Sequence, residues 1–335
     1  MKPVTVGIVG AGDIARKVHL PVLQSMGGVQ VAWIYDRSEA RARQLGAAYA
    51  VRALPTCAPA DLPPTDVILL AIPVEARAAY LDALASGETG VLCEKPFATV
   101  SSEHRRLSEL YPAHRLGCGY MRRFYDSTRT LRQLIAEEWF GRLMRIRIAE
   151  GNRSRGSGGD SSFLDTAQPS MSSGVLTDLG SHSIDLALHL TQGRDFRVRA
   201  CELVLDGRVD RRASASVDLV TGADGAAVVE LEYCVSWLDP QPNRLELEFE
   251  RATVFCGIGP ASDVFVGDPR RPAQAFRMVA PVRAASTANQ AFYLEWRNFL
   301  DGLAAREESL ISARSAFLTT ALVEALHDRG RTTHA

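Results

Sequence analysis

The chain has 335 residues, of which 46% are hydrophobic and 23% are charged, a composition typical of a globular protein with a sizeable core. This length favours two domains. The formal net charge of −1 gives no electrostatic reason to expect binding to nucleic acid or to an anionic membrane.

Cysteine usage and the start of the chain bear on cellular location. The six cysteines are scattered and form no C-x-x-C pair, which predicts free thiols in a reducing compartment. The first residues, MKPVTVGIVGAG, enter a strand pattern directly, so we predict no signal peptide. No apolar run is long enough to span a bilayer. We therefore expect a cytoplasmic protein.

The first 120 residues alternate strand and helix patterns. The apolar runs are typical of strands buried on both faces of a parallel sheet: VTVGIVG, VQVAWIYD, DVILLAIP, GVLCEKP and RLGCGY. Helical patterns stand near 13–26, 38–49, 74–86 and 101–110. This order predicts an α/β domain with a doubly wound parallel sheet over residues 1–120.

Residues 121–335 show a different pattern. A helix near 127–137 and the strand RLMRIRIAEG precede a Gly/Ser/Arg-rich stretch, and a further helix follows within 177–190. Strands are then predicted at FRVRACELVL, ASASVDLVT, AAVVELEYCVS and RLELEFERATVFC, the middle two joined by a hairpin turn at GADG, before helices near 289–303 and 313–327. We predict a C-terminal α+β domain with a large, mostly antiparallel, open-faced sheet.

The strand AAVVELEYCVS carries apolar residues on both faces of its alternation. One face would pack on the helices of its own domain, and the other needs a cover. We therefore expect a homodimer or homotetramer formed through the sheet of this second, substrate-binding and oligomerisation domain.

The motif GIVGAGDIA lies between the first strand and the first helix. Gly10, Gly12 and Ala15 fit the G-x-G-x-x-G/A fingerprint. Gly10 permits the tight turn, Gly12 lets the backbone approach a pyrophosphate at the helix N-terminus, and Ala15 allows close helix–sheet packing. A glycine turn that binds nothing is the alternative, but the strand–turn–helix context favours a Rossmann dinucleotide-binding domain.

Asp36 ends the second strand, 24 residues after Gly12. A carboxylate at this position can accept hydrogen bonds from the adenosine ribose and repels a 2′-phosphate, which favours NAD. Arg37 follows directly and could hold a 2′-phosphate, so NADP stays open as the alternative cofactor.

The segment VLCEKPFAT places Glu94, Lys95 and Pro96 at the end of a buried strand, the edge where open α/β sheets bind ligands. An ammonium group there, beside a nicotinamide, could polarise a carbonyl or stabilise an alkoxide. Pro96 fixes the backbone. Spacing alone leaves open an ordinary Glu–Lys surface pair.

The helix TDLGSHSIDLALHL combines many apolar residues with Asp178, His182, Asp185 and His189. At about 100° per residue, these four fall within roughly 60° of arc on one side of an α-helix. An ordinary amphipathic helix with Asp178 as its N-cap is the simpler interpretation. A stripe this narrow suits a helix that lines a cleft.

The glycine fingerprint, the E-K-P at a strand end and the later D-x-x-x-H with a further Asp resemble, in this order, the Gfo/Idh/MocA oxidoreductases. The resemblance covers nearly the whole chain. It implies that Lys95, Asp178 and His182 form the catalytic set, with His182 as general acid/base. The cofactor contacts that we predict are Gly10, Gly12, Asp13, Ile14, Asp36, Arg37, Ile72, Pro73, Glu94 and Lys95.

Within this family the sequence is most similar to inositol dehydrogenases. Likeness in GYMRRFYDS implies that Met121 and Arg122 touch the cyclitol, and likeness in EGNRSR points to Asn152. The segment DLGSHSIDLALH is similar to the catalytic helix of the family, and this similarity implies that Asp185 contacts a substrate hydroxyl. His189 matches a less defined position, which we interpret as structural.

The chain departs from the family pattern in two places. It reads AIPVEAR where the family often has Thr-Pro followed shortly by His, which leaves some nicotinamide and ribose contacts unassigned. The loop 153–173 is longer than in inositol dehydrogenases and contains Arg153 and Arg155. A lid, a site for a larger or phosphorylated substrate, and an uninvolved loop remain as alternatives.

We predict an NAD(P)-dependent dehydrogenase or reductase that acts on CH–OH groups of a cyclitol or sugar, with a small polyol as its partner. The alternatives are a nucleotide-sugar ketoreductase, a redox-neutral epimerase or eliminase with tightly bound NAD, and a non-catalytic sensor. Asp178 and His182 have the i, i+4 spacing of metal ligands, but two ligands are too few, so we predict no metal.

Overall fold

The computed structural model describes residues 2–152, 173–222, 225–278 and 285–333. Residues 331–333 are described by their backbone alone. Contacts divide the chain into two compact units. Met1–Met121 and Ala288–Phe317 form the first unit, whereas Arg122–Thr287 and Leu318–Ala335 form the second. The predicted division into 1–120 and 121–335 therefore misplaces one segment, because residues 288–317 return to the first unit.

The first unit is built on a six-stranded parallel sheet in the order β3-β2-β1-β4-β5-β6. This is the strand order of a Rossmann fold, and it confirms the predicted fold class. The strands are β1 (Val4–Val9), β2 (Val29–Tyr35), β3 (Arg52–Ala53), β4 (Val67–Leu70), β5 (Gly90–Glu94) and β6 (Leu116–Gly119).

Helices cover both faces of this sheet, which is why its central strands are apolar throughout. In chain order the α-helices of the whole protein are α1 (Leu20–Ser25), α2 (Glu39–Tyr49), α3 (Arg77–Leu84), α4 (Ser101–Glu109), α5 (Asp126–Ala136), α6 (Ser181–Thr191), α7 (Ala288–Ala305) and α8 (Phe317–Thr333). The predicted helix 13–26 is interrupted, because Ala15–His19 forms a π-helical turn before α1. The predicted helix 74–86 likewise starts as a 3₁₀ turn at Val74–Ala76.

Two glycines in the strands explain why α7 belongs to the first unit. A Cβ at Gly90 would lie 2.9 Å from Leu303, and one at Gly117 would lie 3.0 Å from Phe299. Because both positions lack a side chain, α7 packs closely on β5 and β6. The returning segment thus completes the core of the first unit.

The second unit contains an eight-stranded sheet in the order β14-β13-β12-β11-β7-β10-β9-β8. Only β7 and β10 pair in parallel among these neighbours, so the sheet is mostly antiparallel, as predicted. The strands are β7 (Leu143–Gly151), β8 (Asp195–Asp206), β9 (Val209–Thr221), β10 (Ala227–Ser236), β11 (Arg244–Phe249), β12 (Thr253–Gly257), β13 (Val264–Val266) and β14 (Phe276–Met278).

The sheet contains the predicted hairpin across GADG but divides one predicted strand into two. β9 and β10 pair antiparallel from Thr221↔Ala227 onward, as expected for a hairpin across GADG, two residues of which lie outside the described chain. The predicted single strand RLELEFERATVFC is instead two strands, β11 and β12, which pair with each other. The polar residues between them turn the chain back.

The two faces of the second sheet differ in chemistry. Its inner face is apolar and packs against α5, α6 and α8. Its outer face carries rows of ion pairs, in which Arg145 meets Glu230 and Arg147 meets Glu232. The predicted apolar residues on this face of β10 are Val228 and Cys234, but Glu230 and Glu232 alternate with them, so the outer face is mixed rather than apolar.

All six cysteines are free, as predicted, and four of them are buried. Among the described residues, no helix has the length and apolar character that crossing a membrane requires. The cytoplasmic location stays a prediction.

Candidate active site

The glycine turn after β1 has the geometry that a dinucleotide requires. Gly10 has φ +106°, and a Cβ there would lie 2.2 Å from the Ala71 carbonyl oxygen. Only glycine fits this conformation and this close approach. No heavy atom lies within 4 Å of where a Cβ of Gly12 would be, so the backbone there is open to a ligand.

Asp36 lies beside this turn. One of its carboxylate oxygens accepts a hydrogen bond from the Ala11 N–H (2.8 Å), and the other accepts one from the Ser38 N–H (2.8 Å). These two hydrogen bonds hold the negatively charged Asp36 carboxylate between the glycine turn and the start of α2. Arg37 is exposed. The turn and the carboxylate fit a dinucleotide whose adenosine ribose lies against Asp36.

The other predicted cofactor contacts of the first unit differ in exposure. Asp13 is exposed and pairs with Arg16 (2.8 Å) and Lys17 (2.6 Å), and the hydrogen bond from Lys17 is the largest cause of its lowered pKa. Ile14 and Ile72 are half-buried, whereas Pro73 is exposed.

Arg77, at the start of α3, holds the two strand ends that bracket this edge of the sheet. Its side chain is 3% exposed. The guanidinium donates twice to the Ile72 carbonyl, at 3.0 and 2.9 Å, and also donates to the carbonyls of Glu94 and Pro96. Lys95 lies between these last two carbonyls, so Arg77 fixes the main chain on both sides of it.

Glu94 is nearly buried and its carboxylate is bound on both oxygens. Oε1 lies 2.7 Å from Nε2 of His19, and Oε2 accepts from the Lys95 main-chain N–H at 3.1 Å. Burial raises the pKa of this carboxyl, but the hydrogen bond from His19 and the charges of Lys95 and Arg77 outweigh it and hold the pKa below its usual range.

Asp178 and His182 are half-buried on the helix of the second unit. Residues Leu176–Gly180 form a π-helical turn that leads into α6, so the 60° arc calculated for a regular α-helix does not apply to Asp178. Asp178 also lies inside this turn, where its N–H donates to the Gly174 carbonyl (3.1 Å). It is therefore not an N-cap.

The start of this helix is bound by Asp210 of β9. The Asp210 carboxylate, 3% exposed, accepts from the Leu176 N–H at 2.7 Å and lies 3.2 Å from Nε2 of His327. A Cβ at Gly174 would lie 2.0 Å from this carboxylate. A glycine at position 174 therefore lets the acid reach the helix N-terminus.

Two buried arginines bind α6 from the side. Arg122 makes two hydrogen bonds of 2.8 Å to Glu150, whose carboxylate also accepts from the Ser183 hydroxyl (2.8 Å). Arg123 forms the equivalent pair with Asp185, at 2.8 and 2.5 Å. These pairs fix α6 relative to the segment that precedes α5.

This arrangement bears on two predicted substrate contacts. Asp185 is 1% exposed, and its carboxylate accepts from Thr319 (3.2 Å) as well as from Arg123. Burial is the largest influence on Asp185 and raises its pKa, against the charge of Arg123. Both Asp185 and Arg122 are bound within the second unit, where they support the helix; their contact with substrate stays a prediction.

The remaining predicted residues are Met121, Asn152 and those of the loop 153–173. Met121 is 6% exposed, in the 3₁₀ turn Met121–Phe124 after β6. Asn152 is exposed at the end of β7, where its N–H donates to the Ser236 carbonyl (3.2 Å). Of the loop 153–173, all but Ser173 lies outside the described residues, including Arg153 and Arg155. Of the predicted catalytic residues, Lys95 belongs to the first unit, and Asp178 and His182 belong to the second.

The sequence analysis missed four residues whose hydrogen bonds hold the segments that carry predicted site residues. They are His19, Arg77, Glu150 and Asp210. Arg77 belongs to the motif AIPVEAR and Glu150 to EGNRSR, but the sequence analysis assigned roles only to other residues of these motifs. His19 and Asp210 carry no local signal, because their partners are distant in sequence.

Comparison with known proteins identifies the family. Residues 4–120 match the model described as the oxidoreductase family with an NAD-binding Rossmann fold, and residues 128–255 match the GFO/IDH/MocA C-terminal domain. The chain belongs to the Gfo/Idh/MocA oxidoreductase family. Its first unit is thus an NAD-binding Rossmann domain, as predicted.

Curated relatives within the Gfo/Idh/MocA family include cyclitol and sugar enzymes. The chain is 32% identical over 154 residues to an inositol 2-dehydrogenase of Leifsonia xyli, covering 44% of this chain and 45% of the relative. It is 27% identical over 220 residues to the dTDP-3,4-didehydro-2,6-dideoxy-alpha-D-glucose 3-reductase of Streptomyces antibioticus, covering 64% and 65%. The matches thus span less than two thirds of these relatives.

Solved structures of similar fold cover nearly the whole chain. A 3-ketoreductase from Actinomadura kijaniata in complex with NADP and TDP-benzene has a TM-score of 0.79 at 19% identity, covering 98% of both chains. An oxidoreductase from Agrobacterium radiobacter in complex with NAD⁺, L-tartaric acid and magnesium has a TM-score of 0.75 at 16% identity, covering 98% of this chain and 97% of that one. At these identities the likeness shows the fold alone.

Among the described residues, no group of three or more His, Cys, Asp or Glu side chains is arranged to hold a metal ion. Within the described part of the chain, Asp178 and His182 could therefore supply no more than two metal ligands. Independence of a metal stays a prediction.

Proposed function

We propose that this protein is an NAD(P)-dependent oxidoreductase that transfers a hydride between nicotinamide and a secondary alcohol or ketone of a cyclitol or sugar. The observation that carries the proposal is the open glycine turn at Gly12 beside the anchored carboxylate of Asp36. It occurs in a Gfo/Idh/MocA chain that also presents Glu94 and Lys95 at the ligand-binding edge of the sheet.

The cofactor that fits best is NAD. Two backbone N–H groups hold Asp36 in place, so a 2′-phosphate at this position would meet a fixed negative charge. The exposed Arg37 could still attract that phosphate, which keeps NADP as the alternative. Replacing Asp36 with Ser should narrow the preference for NAD, measured as the ratio of kcat/KM for the two cofactors. A clear NADP preference of the parent protein would contradict this choice.

The cofactor, when bound, supplies or accepts the hydride. Lys95 is assigned to hold the reacting oxygen of the substrate with its ammonium group. His182 is assigned to exchange the hydroxyl proton as general acid/base, because the unperturbed pKa of histidine lies near working pH. Asp178, one turn earlier in the chain, is assigned to orient His182 or share its proton. The proposed substrate contacts remain Met121, Arg122, Asn152 and Asp185.

A nucleotide-sugar ketoreductase is the second candidate. The similarity to the S. antibioticus 3-reductase extends over 64% of this chain, compared with 44% for the L. xyli inositol dehydrogenase, although at lower identity. Such a substrate needs room for a nucleotide as well as a sugar. The two candidates therefore differ in the size of the accepted substrate.

A spectrophotometric screen tests the proposal. Cyclitols, free sugars and nucleotide sugars are offered with NAD⁺ and NADP⁺, and the corresponding ketones with the reduced cofactors. Turnover of a cyclitol or sugar supports the first candidate, and turnover confined to nucleotide sugars supports the second. Cofactor that stays in the purified protein, with no net reduction of added NAD⁺, would favour the redox-neutral alternative instead.

A further inference from the structure

A chain of buried hydrogen bonds in the first unit leads from α7 to Lys95. The indole N–H of Trp296 donates to Nδ1 of His19 at 3.0 Å, and Nε2 of His19 lies 2.7 Å from the Glu94 carboxylate. The other oxygen of Glu94 accepts from the Lys95 main-chain N–H at 3.1 Å. His19 is 1% exposed and Trp296 is fully buried.

The heavy atoms of this chain determine the tautomer of His19. An indole N–H can only donate, so Nδ1 of the imidazole must accept and carries no proton. Nε2 therefore bears the hydrogen and donates it to Glu94. A second proton, on Nδ1, would place two donors face to face in a buried site, so the imidazole is held neutral.

The groups around His19 and Glu94 are one aromatic ring, two cations and a second acid. Phe292 packs edge-on against the His19 ring at 5.3 Å between centroids and offers no hydrogen bond. The cations near Glu94 are Lys95 and Arg77. The buried Glu295 of α7 is the other acid here, since its Oε1 and that of Glu94 lie 3.5 and 3.6 Å from where a Cβ of Gly119 would be.

We propose that His19, held in one tautomer by Trp296, is a positioning residue for Lys95. Its Nε2–H keeps Glu94 anionic and oriented, and Glu94 in turn fixes the main chain of Lys95. This role rests on the proposed function, in which Lys95 holds the reacting oxygen. Because the Trp296 N–H occupies Nδ1, the hydrogen bond that Nε2 donates to Glu94 has a fixed direction.

The first test reads the tautomer itself. Nitrogen-15 NMR of the His19 ring, assigned with a His19→Gln variant, should show a protonated Nε2 and an unprotonated Nδ1 from pH 5.5 to 8. In Trp296→Phe, which keeps an aromatic ring but removes the donor, Nδ1 is free to take a proton, so its nitrogen-15 shift should change with pH where that of the parent does not. Phe292→Leu is the matched control, since it removes a ring contact but no hydrogen bond. A His19 that titrates in the parent protein would overturn the proposal.

The second test reads the consequence for Lys95. The pH profile of kcat in Trp296→Phe should gain an ionisation that the parent and Phe292→Leu lack. His19→Phe should lower kcat by roughly 10–100-fold, the effect of losing one hydrogen bond to a charged group. His19→Gln can donate to Glu94 and accept from Trp296, so it should recover most of that loss. Equal pH profiles in all variants, or no rescue by Gln, would contradict the role.

These tests separate the two proposals. If the parent protein turns over none of the alcohols, the proposed function fails. NADH affinity, measured by fluorescence titration, then replaces kcat as the second readout, because Glu94 and Lys95 are assigned to the cofactor edge. It should become pH-dependent near neutrality in Trp296→Phe and not in Phe292→Leu. A pH-independent affinity in Trp296→Phe would then reject the role of His19.

Discussion

His182 and His189 lie seven residues apart on α6, and we predict different roles for them. Burial, followed by the charges of Arg123 and Arg132, lowers the pKa of His189 to about 3, so this ring stays neutral at working pH. His182→Ala should lower kcat by roughly 10²–10⁴-fold, the range for loss of a general acid/base. His189→Ala is the control and should change kcat much less.

The measurement is a pair of titrations on each variant, one of turnover and one of NADH binding. NADH binding should survive both substitutions, because the glycine turn and Asp36 belong to the first unit. A folded His182→Ala protein that turns over at nearly the parental rate would show that Asp178 and His182 are structural.

His104 links stability to pH in the first unit. It is fully buried, its Nε2 donates to the Ala313 carbonyl (2.8 Å), and burial lowers its pKa to about 4 from the usual 6.5. Between pH 6.5 and 4 the unfolded chain therefore binds more protons at this position than the folded chain. The free energy of unfolding should fall as the pH drops through this window, by up to about 1.4 kcal/mol per pH unit.

The variant His104→Gln keeps a donor for the Ala313 carbonyl but cannot be protonated. Its loss of stability between pH 7 and pH 5, measured by urea unfolding, should be smaller than that of the parent. Parallel pH dependences of the two proteins would show that His104 is not responsible.

The helical segment that contains Asp178 and His182 is bound at its start by a side chain from the sheet. Asp210→Ala leaves the Leu176 N–H without its acceptor and removes an anion from the helix N-terminus. We expect a loss of about 1–2 kcal/mol in the free energy of unfolding, the usual cost of removing a helix cap. Asp206→Ala is the control in the same hairpin, because its side chain is 70% exposed. Equal stabilities of the two variants would contradict the role of Asp210.

The elements of this protein were largely predictable, because apolar periodicity depends on burial. Buried parallel strands and amphipathic helices therefore appear in the sequence close to their observed bounds. The π-helical turns at Ala15–His19 and Leu176–Gly180 were not predictable, since they keep the helical pattern and change only the hydrogen bonds. The turn between β11 and β12 was missed because Glu250, Arg251 and Ala252 include no glycine or proline.

The site residues could be predicted where they belong to a local motif, but not where they act on a partner distant in sequence. The glycine turn, Asp36 and the E-K-P segment are local motifs, and sequence spacing placed them at one edge of the sheet. Arg77, His19 and Asp210 act on residues 17, 75 and 34 positions away. Pattern in a single sequence does not encode such pairs, and for the same reason the return of α7 to the first unit was missed.

At the scale of the whole molecule, the outer face of the second sheet has two properties that bear on assembly. Its floor includes small side chains, among them Ala149, Ala200, Ser214, Ser216 and Cys234. Beside them, Arg145 and Arg147 alternate with glutamates of β10 and β11. Small residues leave the backbone of a broad sheet poorly covered, and mixed rows of charge can pair with a second copy related by a two-fold axis.

We therefore still predict a homodimer or homotetramer through this face, now on the basis of small residues and paired charges rather than an apolar surface. Sedimentation velocity at micromolar concentration should give a species of at least twice the mass of one chain. Arg147→Glu would place a third negative charge beside Glu232 and Glu248 and should shift the protein towards monomer. Arg43→Glu, on the exposed side of α2, is the matched charge reversal and should leave assembly unchanged. A parent protein that sediments as a monomer would contradict the prediction, because the face would then be stable in water without a partner.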